Sequence, residues 1–327
     1  MRKSHASLLI KATVSGLLLF WSFHLVHFEP VATRVARLNS IWLSIAIVLL
    51  LAQIYVQAVR WRILLAQCGA EAQIGDLFRF SMIGAFFNQT LPSSIGGDGM
   101  RVWLIRRRFG WRVARYSVFL DRIIGLIALA ALVVVCLPWT VSLVTNPIAR
   151  SAVALLGFGG ILAWLSFTLL PWSRIGILHK WTITRHFLDI AALASSLKQP
   201  WCFVRLFGIS VVGQLLTAAA AWCVAQSVSA NLSIADALLL VPPVLLITVL
   251  PLSIAGWGVR EGAMVAAFAY AGLPQSDGLI VSLLFGIASL VLGCFGGIVW
   301  LLSHRQRTAS LLGPERASEH ASGQTCY

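Results

Sequence analysis

The sequence carries two copies of one eleven-residue motif, LPSSIGGDGMR at residues 91–101 and LPLSIAGWGVR at residues 250–260. Seven of the eleven positions are identical without a gap, among them the proline, two glycines and the final arginine. So close a match within a hydrophobic chain predicts an internal duplication. The two related halves extend roughly over residues 41–137 and 201–302.

Each copy of the motif is predicted to break a membrane helix. Pro92 and Pro251 each remove a backbone donor and clash with the preceding turn, which ends a helix. The glycines then allow backbone conformations that are closed to other residues. Amides at the start of the next half-helix, with Arg101 or Arg260 nearby, favour an anion. We expect two re-entrant hairpins that share a binding site, although ordinary Pro/Gly kinks that ease helix packing are an alternative.

The composition places these breaks in a membrane. Hydrophobic residues make up 59% of the 327-residue chain and charged residues 11%, whereas soluble proteins average about 25% charged residues. Nine apolar segments lie at residues 7–26, 41–59, 77–91, 117–137, 151–170, 201–227, 237–250, 259–272 and 278–302. The third, seventh and eighth are short for a span, which needs about 20 residues. We therefore expect an all-α polytopic membrane helix bundle with six full spans and two inverted-repeat re-entrant hairpins.

Positive charge orients the chain. Arginine and lysine concentrate in the linkers 60–79, 101–115 and 171–200 and in the C-terminal tail. By the positive-inside rule these linkers are cytoplasmic. Both termini are then cytoplasmic in a bacterial inner membrane, and the two breaks face opposite sides. We expect one transmembrane domain over residues 1–303, whose first helix is retained rather than cleaved as a signal, and a short cytoplasmic polar tail over residues 304–327.

Charged residues beside the breaks are candidates for function, because charge within a membrane is costly unless it is paired or hydrated. Asp98 and Arg101 are close enough in sequence to form a pair, and Arg260 precedes Glu261. Asp121 and Arg122 lie about one turn into a span, and an interfacial pair that reaches water is the alternative for them. The predicted headgroup-binding residues are Asn88, Pro92, Gly96, Gly97, Asp98, Arg101, Asp121, Arg122, Pro251, Gly256, Gly258, Arg260 and Glu261.

Other functional classes find little support in the sequence. We identify no catalytic residues, no Cys/His cluster for a metal and no phosphate-binding loop, and we expect no cofactor. The arginine-rich run 101–115 contains Trp103 and Trp111, a pattern typical of a segment at the membrane surface. Its alternative is a topology anchor with no specific ligand, and we expect no nucleic-acid partner.

Several motifs together resemble one family. They are Gln57-x-x-Arg60-Trp61-x-x-Leu64, the stretch from Asn88 to Arg101, Asp121-Arg122-x-x-Gly125, and the stretch from Leu250 to Glu261. The chain resembles the lysylphosphatidylglycerol synthase transmembrane-region family over roughly residues 7–303. That resemblance implies a flippase-like domain, similar to the part of the multiple peptide resistance factor that moves aminoacylated phosphatidylglycerol between leaflets.

The resemblance also implies limits. Synthase activity in that family belongs to a separate soluble domain, and this chain ends about 25 residues after its last span, so we expect no aminoacyl transfer. The partners implied are membrane lipids, anionic or aminoacylated, with a homo-oligomer or a lipid-biosynthesis enzyme as protein partners still open. We expect a lipid translocase. The alternative is an intramembrane enzyme, or an accessory subunit of an aminoacyl-lipid, glycolipid or hopanoid pathway.

Overall fold

The computed structural model describes residues 38–91, 96–144, 146–169, 200–249 and 256–312, together with the isolated residues 13 and 16. These parts contain eight α-helices: α1 Ser40–Gln67, α2 Ile74–Thr90, α3 Gly96–Leu143, α4 Pro147–Leu169, α5 Pro200–Ser227, α6 Ile234–Thr248, α7 Val259–Tyr270 and α8 Gln275–Leu312. The all-α prediction is therefore confirmed. Five predicted features lie wholly or mostly outside the described residues: the first span apart from residues 13 and 16, Pro92, Pro251, most of the linker 171–200 and most of the polar tail.

Four of these helices are long and apolar enough to cross a membrane, namely α1, α3, α5 and α8. Each contains one of the predicted full spans. The helix α4 coincides closely with a fifth, and the three short segments match α2, α6 and α7. The linker boundaries were wrong in one respect. Arg60 and Arg101 lie inside α1 and α3 and are buried, so neither belongs to an exposed cytoplasmic linker.

The helix α3 is bent at Gly110. This glycine has φ +80°, a left-handed conformation that residues with a side chain rarely adopt. The bend divides α3 into a first segment, 96–109, and a second segment, 111–143. The predicted surface segment 101–115 therefore contains a sharp change of direction, and the buried Arg101 lies at one end of it.

The two halves of the chain repeat one order of elements. The helices α1 and α5 each contain 28 residues, and each is followed by a short helix with an aspartate in its first turn. The turn after α1 contains Gly69 with φ +73°, and the turn after α5 contains Ser229 with φ +53°. A short helical segment, a turn and a long helix complete each half, as 96–109 with 111–143 and as α7 with α8.

The equivalent helices α1 and α5 pack against each other in opposite directions. At one end, the amide of Asn39 donates to the carbonyl of Ser227 at 2.8 Å. Trp42 and Trp222 meet edge to face with ring centroids 5.3 Å apart. Near the other end, a side-chain hydrogen bond joins Arg60 to Ser210. Because residues early in α1 meet residues late in α5, the pair is antiparallel.

Each short helix also packs against the long helix of the other half, α2 against α8 and α6 against α3. Glycines allow the first of these contacts to be close. A Cβ atom at Gly296 of α8 would collide with the main chain of Met82 in α2. Small residues bring membrane helices together in this way, because dispersion contacts replace the hydrophobic effect that acts in water. The two halves are thus packed into each other through the core of the bundle.

Candidate functional site

Asp121 is the centre of a buried charge network. Its side chain has no solvent exposure. Arg60 Nε donates to Asp121 Oδ1 at 2.7 Å, and Arg101 Nη2 donates to Asp121 Oδ2 at 3.0 Å. These groups come from α1 and from both segments of the bent α3, so the network exists only in the folded bundle.

Asp98 extends the network toward the surface. It accepts from Arg101 Nη1 at 3.2 Å and from Arg122 Nη1 at 2.5 Å. The predicted Asp98–Arg101 pair is confirmed, and Arg122 also pairs with Asp98. Three guanidinium groups thus face two carboxylates, and these five side chains together carry one positive charge.

Neighbouring side chains hold the two buried arginines in place. Arg60 Nη1 donates to Ser210 Oγ of α5 at 2.9 Å. The Arg101 guanidinium lies 4.0 Å from the ring centroid of Trp61, within the range of cation–π attraction. Trp61 Nε1 in turn donates to Ser117 Oγ at 3.2 Å. A Cβ atom at position 125 would lie 3.1 Å from Arg60 Nη1, so Gly125 leaves room for that side chain.

A polar cavity of about 200 Å³ adjoins this network between α1, α2, the first segment of α3 and α8. Its polar lining consists of Gln53, Gln57, Ser81, Asn88, Gln89, Asp98, Arg101 and Ser289. Two lining residues carry buried atoms with no hydrogen-bond partner in the described structure, Ser81 Oγ and Arg101 Nε. Buried polar atoms are usually paired, so these two retain unused hydrogen-bonding capacity beside the cavity.

The first break has a different geometry from the one predicted. Gly96 and Gly97 lie in the first turn of α3 with ordinary helical backbone, and their role is close approach rather than a left-handed turn. A Cβ atom at Gly97 would collide with the carbonyl of Gly84 in α2. The amide of Gly97 donates to Asn88 Oδ1 at 2.9 Å, so Asn88 caps α3 across the break.

A second charge cluster lies at the start of α7. Gly256 and Gly258 have φ +81° and +86°, so here the predicted left-handed turn is present. The fully buried Glu261 accepts from the Gly258 amide at 2.6 Å, from Arg260 Nη2 at 2.8 Å and from Ser282 Oγ at 3.0 Å. The predicted Arg260–Glu261 pair is confirmed. One cation faces one anion, and the pair is neutral.

The structure does not bring the two clusters into contact within its described residues. Both touch α8, the second cluster through Ser282 and the polar cavity through Ser289. Seven residues of helix separate these serines by about 10 Å at 1.5 Å per residue. Arg101 and Arg260 were expected to share one headgroup, but the structure places them in two separate environments.

An apolar cavity of about 140 Å³ occupies part of the related position in the other half. It lies against α6, as the polar cavity lies against α2. In the register that aligns the two motifs, Ser81 corresponds to Leu240 and Asn88 to Ile247, and all four residues line their cavities. The related positions therefore differ in polarity, and only the cavity of the first half adjoins the charge network.

The predicted headgroup-binding residues did not include several residues of this site, notably Arg60, Trp61, Gln57 and Ser81, although the first three belong to a motif of the family resemblance. Arg60 was assigned to a linker because it follows an apolar run, although α1 continues to Gln67. One signal was present, since Gln57 and Arg60 are one helical turn apart and share a face. Ser81 gave no signal, because one hydroxyl in an apolar helix is common. Among the described residues, no group of three or more His, Cys, Asp or Glu side chains could hold a metal.

Fold and site together define a polytopic helical membrane protein with a charged network and a polar cavity buried between its spans. The sequence pattern of the family described as "Lysylphosphatidylglycerol synthase TM region" matches residues 8–297. The chain belongs to this family, as its motifs predicted. Among curated proteins, no sequence matches the chain.

Proposed function

We propose that this protein is a lipid translocase that binds a polar headgroup in the cavity between α1, α2, α3 and α8. One observation supports this most directly. The cavity lies between membrane helices, adjoins a network of three guanidinium groups and two carboxylates, and is lined by Arg101 and Ser81, each of which has a buried polar atom without a partner in the described structure. An anionic headgroup would occupy such a site with charge-assisted hydrogen bonds.

Binding is proposed to proceed by exchange of ion-pair partners. Asp98 holds Arg101 and Arg122 when the cavity is empty, and Arg122 is the more exposed of the two. A phosphate group entering the cavity competes with Asp98 for these guanidiniums. Asp121 meanwhile keeps Arg101 in place from the opposite side. The acyl chains stay in the surrounding lipid, so only the headgroup needs a polar path.

The proposed transport cycle uses the relation between the two halves. Antiparallel packing of α1 against α5 supports an inverted repeat, and such repeats commonly expose a central site to alternate sides of the membrane. In this proposal the segments before and after the two breaks form re-entrant hairpins in a bacterial inner membrane, with both termini cytoplasmic. In this proposal the lipid crosses the membrane without chemical change, so the protein acts as a transporter and not as an enzyme.

A leaflet-accessibility assay tests this function. The purified full chain is reconstituted into vesicles with a headgroup-labelled phosphatidylglycerol, and an impermeant quencher reports the label on the outer leaflet. We expect the quenched fraction to rise beyond that of protein-free vesicles, with the lipid chemically unchanged by mass spectrometry. Equal quenching with and without protein would contradict the proposal, and a modified lipid would favour an enzyme.

Ser81→Leu gives the assay a cavity-specific variant, because it introduces the apolar residue of the related position in α6. We expect at least about a tenfold loss of transport from removing a polar partner and filling the cavity. The control is Ser151→Leu on the exposed face of α4, which we expect to transport normally. Equal transport by both variants would rule out the cavity as the path of the headgroup.

A further inference from the structure

We propose a second anionic-lipid site, outside the cavity, at which Arg106 binds the phosphodiester of a lipid headgroup between Trp103 and Trp111. Nothing in the proposed transport function requires this site. It lies five residues beyond Arg101 in the first segment of α3, about 7.5 Å further along the helix axis at 1.5 Å per residue. Its ligand is a lipid at the membrane surface rather than one in transit.

The bend at Gly110 creates this site. In a straight helix, residues 106 and 111 would point in different directions, because five residues make well over one full turn. The left-handed Gly110 redirects the chain and places Trp111 against Arg106. The guanidinium Cζ of Arg106 lies 4.4 Å from the ring centroid of Trp111 and 5.6 Å from that of Trp103.

The guanidinium of Arg106 has unused hydrogen-bonding capacity. Its Nε is buried and has no partner in the described structure. No carboxylate pairs with Arg106 or Arg107 among the described residues, whereas Arg108 is paired with Asp76 at 3.4 Å. An arginine that contacts aromatic rings with its face still presents its N–H groups at the edge, where they match two oxygens of a phosphate. A guanidinium without a carboxylate partner, held beside two indoles, therefore favours an anion with a planar, two-pronged set of contacts.

The surroundings favour a lipid over a free anion. Trp111 is 53% exposed, and tryptophan concentrates at the level of the lipid headgroups. Arg107, also within cation–π range of Trp103, adds positive charge beside the site. The second segment of α3 runs from Trp111, past Arg112 and Arg115, into the apolar span 117–137. A ligand held here would have its phosphate at the arginine and its acyl chains alongside the helix.

Fluorine NMR on the full chain tests the site locally. The protein is labelled with 5-fluorotryptophan in neutral detergent, and Trp111→Phe identifies the Trp111 resonance. Dihexanoyl phosphatidylglycerol is then titrated, and inorganic phosphate is titrated in a parallel sample. We expect saturable movement of the Trp111 resonance with the lipid, and no saturable movement with phosphate at the same concentrations.

Two variants that each remove one positive charge distinguish a specific lipid site from general electrostatic attraction of the lipid to the protein surface. Arg106→Gln should weaken the lipid titration about tenfold, because it removes charge-assisted hydrogen bonds. Arg112→Gln removes the same charge from an exposed arginine nearby and should change the titration less than about twofold, because exposed charges are screened. Equal weakening by both variants, or no response of Trp111 to the lipid, would overturn the proposal. Saturation by inorganic phosphate would overturn the assignment to a lipid.

A negative result in the lipid titration at Arg106 is distinguishable from a negative result in the transport assay. Ser81→Leu lies in the cavity and should leave the Trp111 titration unchanged while it lowers transport. If that variant abolished the Trp111 response, the two sites would not be separate and the second site would be rejected.

Discussion

Asp121 stabilises two buried guanidinium groups that face it from different helices. Arg60 and Arg101 both contact its carboxylate, and none of the three side chains is more than slightly exposed. Loss of the carboxylate would leave two buried cations without their main partner. Removing one member of a buried ion pair is strongly destabilising because the charge left behind is not solvated. Asp121 is therefore expected to matter for folding as well as for binding.

Asp121→Asn tests this expectation with little change of side-chain volume. We expect the free energy of unfolding to fall by about 3–5 kcal/mol, measured by reversible denaturation in detergent. The matched control is Asp76→Asn, which breaks the exposed pair with Arg108 and should cost no more than about 1 kcal/mol. If both variants were equally stable, Asp121 would not hold the network together.

At this scale the sequence predicts contacts between residues that are close in the chain. Asp98 with Arg101 and Arg260 with Glu261 were predicted from their spacing, and both pairs are confirmed. The contact of Asp121 with Arg60 was not predicted, because the two residues are 61 positions apart and meet only through the packing of α1 against α3. Neither spacing nor charge pattern determines which helix faces lie together.

At the scale of elements, glycines on α8 set how closely α2 can pack. Gly296 contacts the main chain of Met82, whereas a Cβ atom at Gly293 would make only ordinary contacts, the nearest at 3.4 Å from Gln89. Because α2 and α8 form two walls of the polar cavity, separating them would change its shape. The sequence does not distinguish the two glycines, but only Gly296 is needed for the close contact between α2 and α8.

Gly296→Ala should therefore destabilise the protein while Gly293→Ala should not. We expect a loss of about 1–3 kcal/mol for Gly296→Ala, the usual range for overpacking a tight contact. Thermal unfolding of both variants in the same detergent measures the difference. A Gly296→Ala variant as stable as Gly293→Ala would show that α2 and α8 are less closely packed than described.

Helix boundaries show what the sequence could predict at this scale. The two matched motifs placed breaks after α2 and α6, and both helices end there. The bend at Gly110 was not predicted, because a single glycine among arginines does not distinguish a bend from a tolerated helix residue. We predicted the same role for the glycines of both motifs, and that prediction was wrong. Only the second copy has left-handed glycines, at positions 256 and 258.

At the scale of the whole molecule, the two halves share an order of elements but differ in chemistry. The first half contributes a polar cavity and a network with excess positive charge, and the second contributes a neutral pair and an apolar cavity. The two matched motifs predicted the duplication. They did not predict the division of roles between the halves, because that division depends on how the helices of one half pack against those of the other. We propose that the first half binds the headgroup and that the second serves as its scaffold.

We propose that Arg101, and not Arg260, binds the transported headgroup. Leaflet-resolved transport of labelled phosphatidylglycerol by two variants tests it most directly. The first is Arg101→Gln. The second is the double variant Arg260→Gln with Glu261→Gln, which removes both charges of the neutral pair together and so leaves neither charge buried without its partner. Both are first confirmed as folded by size-exclusion chromatography and circular dichroism.

We expect Arg101→Gln to lose at least about tenfold of its transport rate, because it removes a charge-assisted partner of the headgroup. The double variant should transport within about twofold of the unmodified protein, because its pair makes no contact with the polar cavity. Normal transport by a folded Arg101→Gln protein, or equal loss in the two variants, would show that Arg101 is not the specific partner of the headgroup.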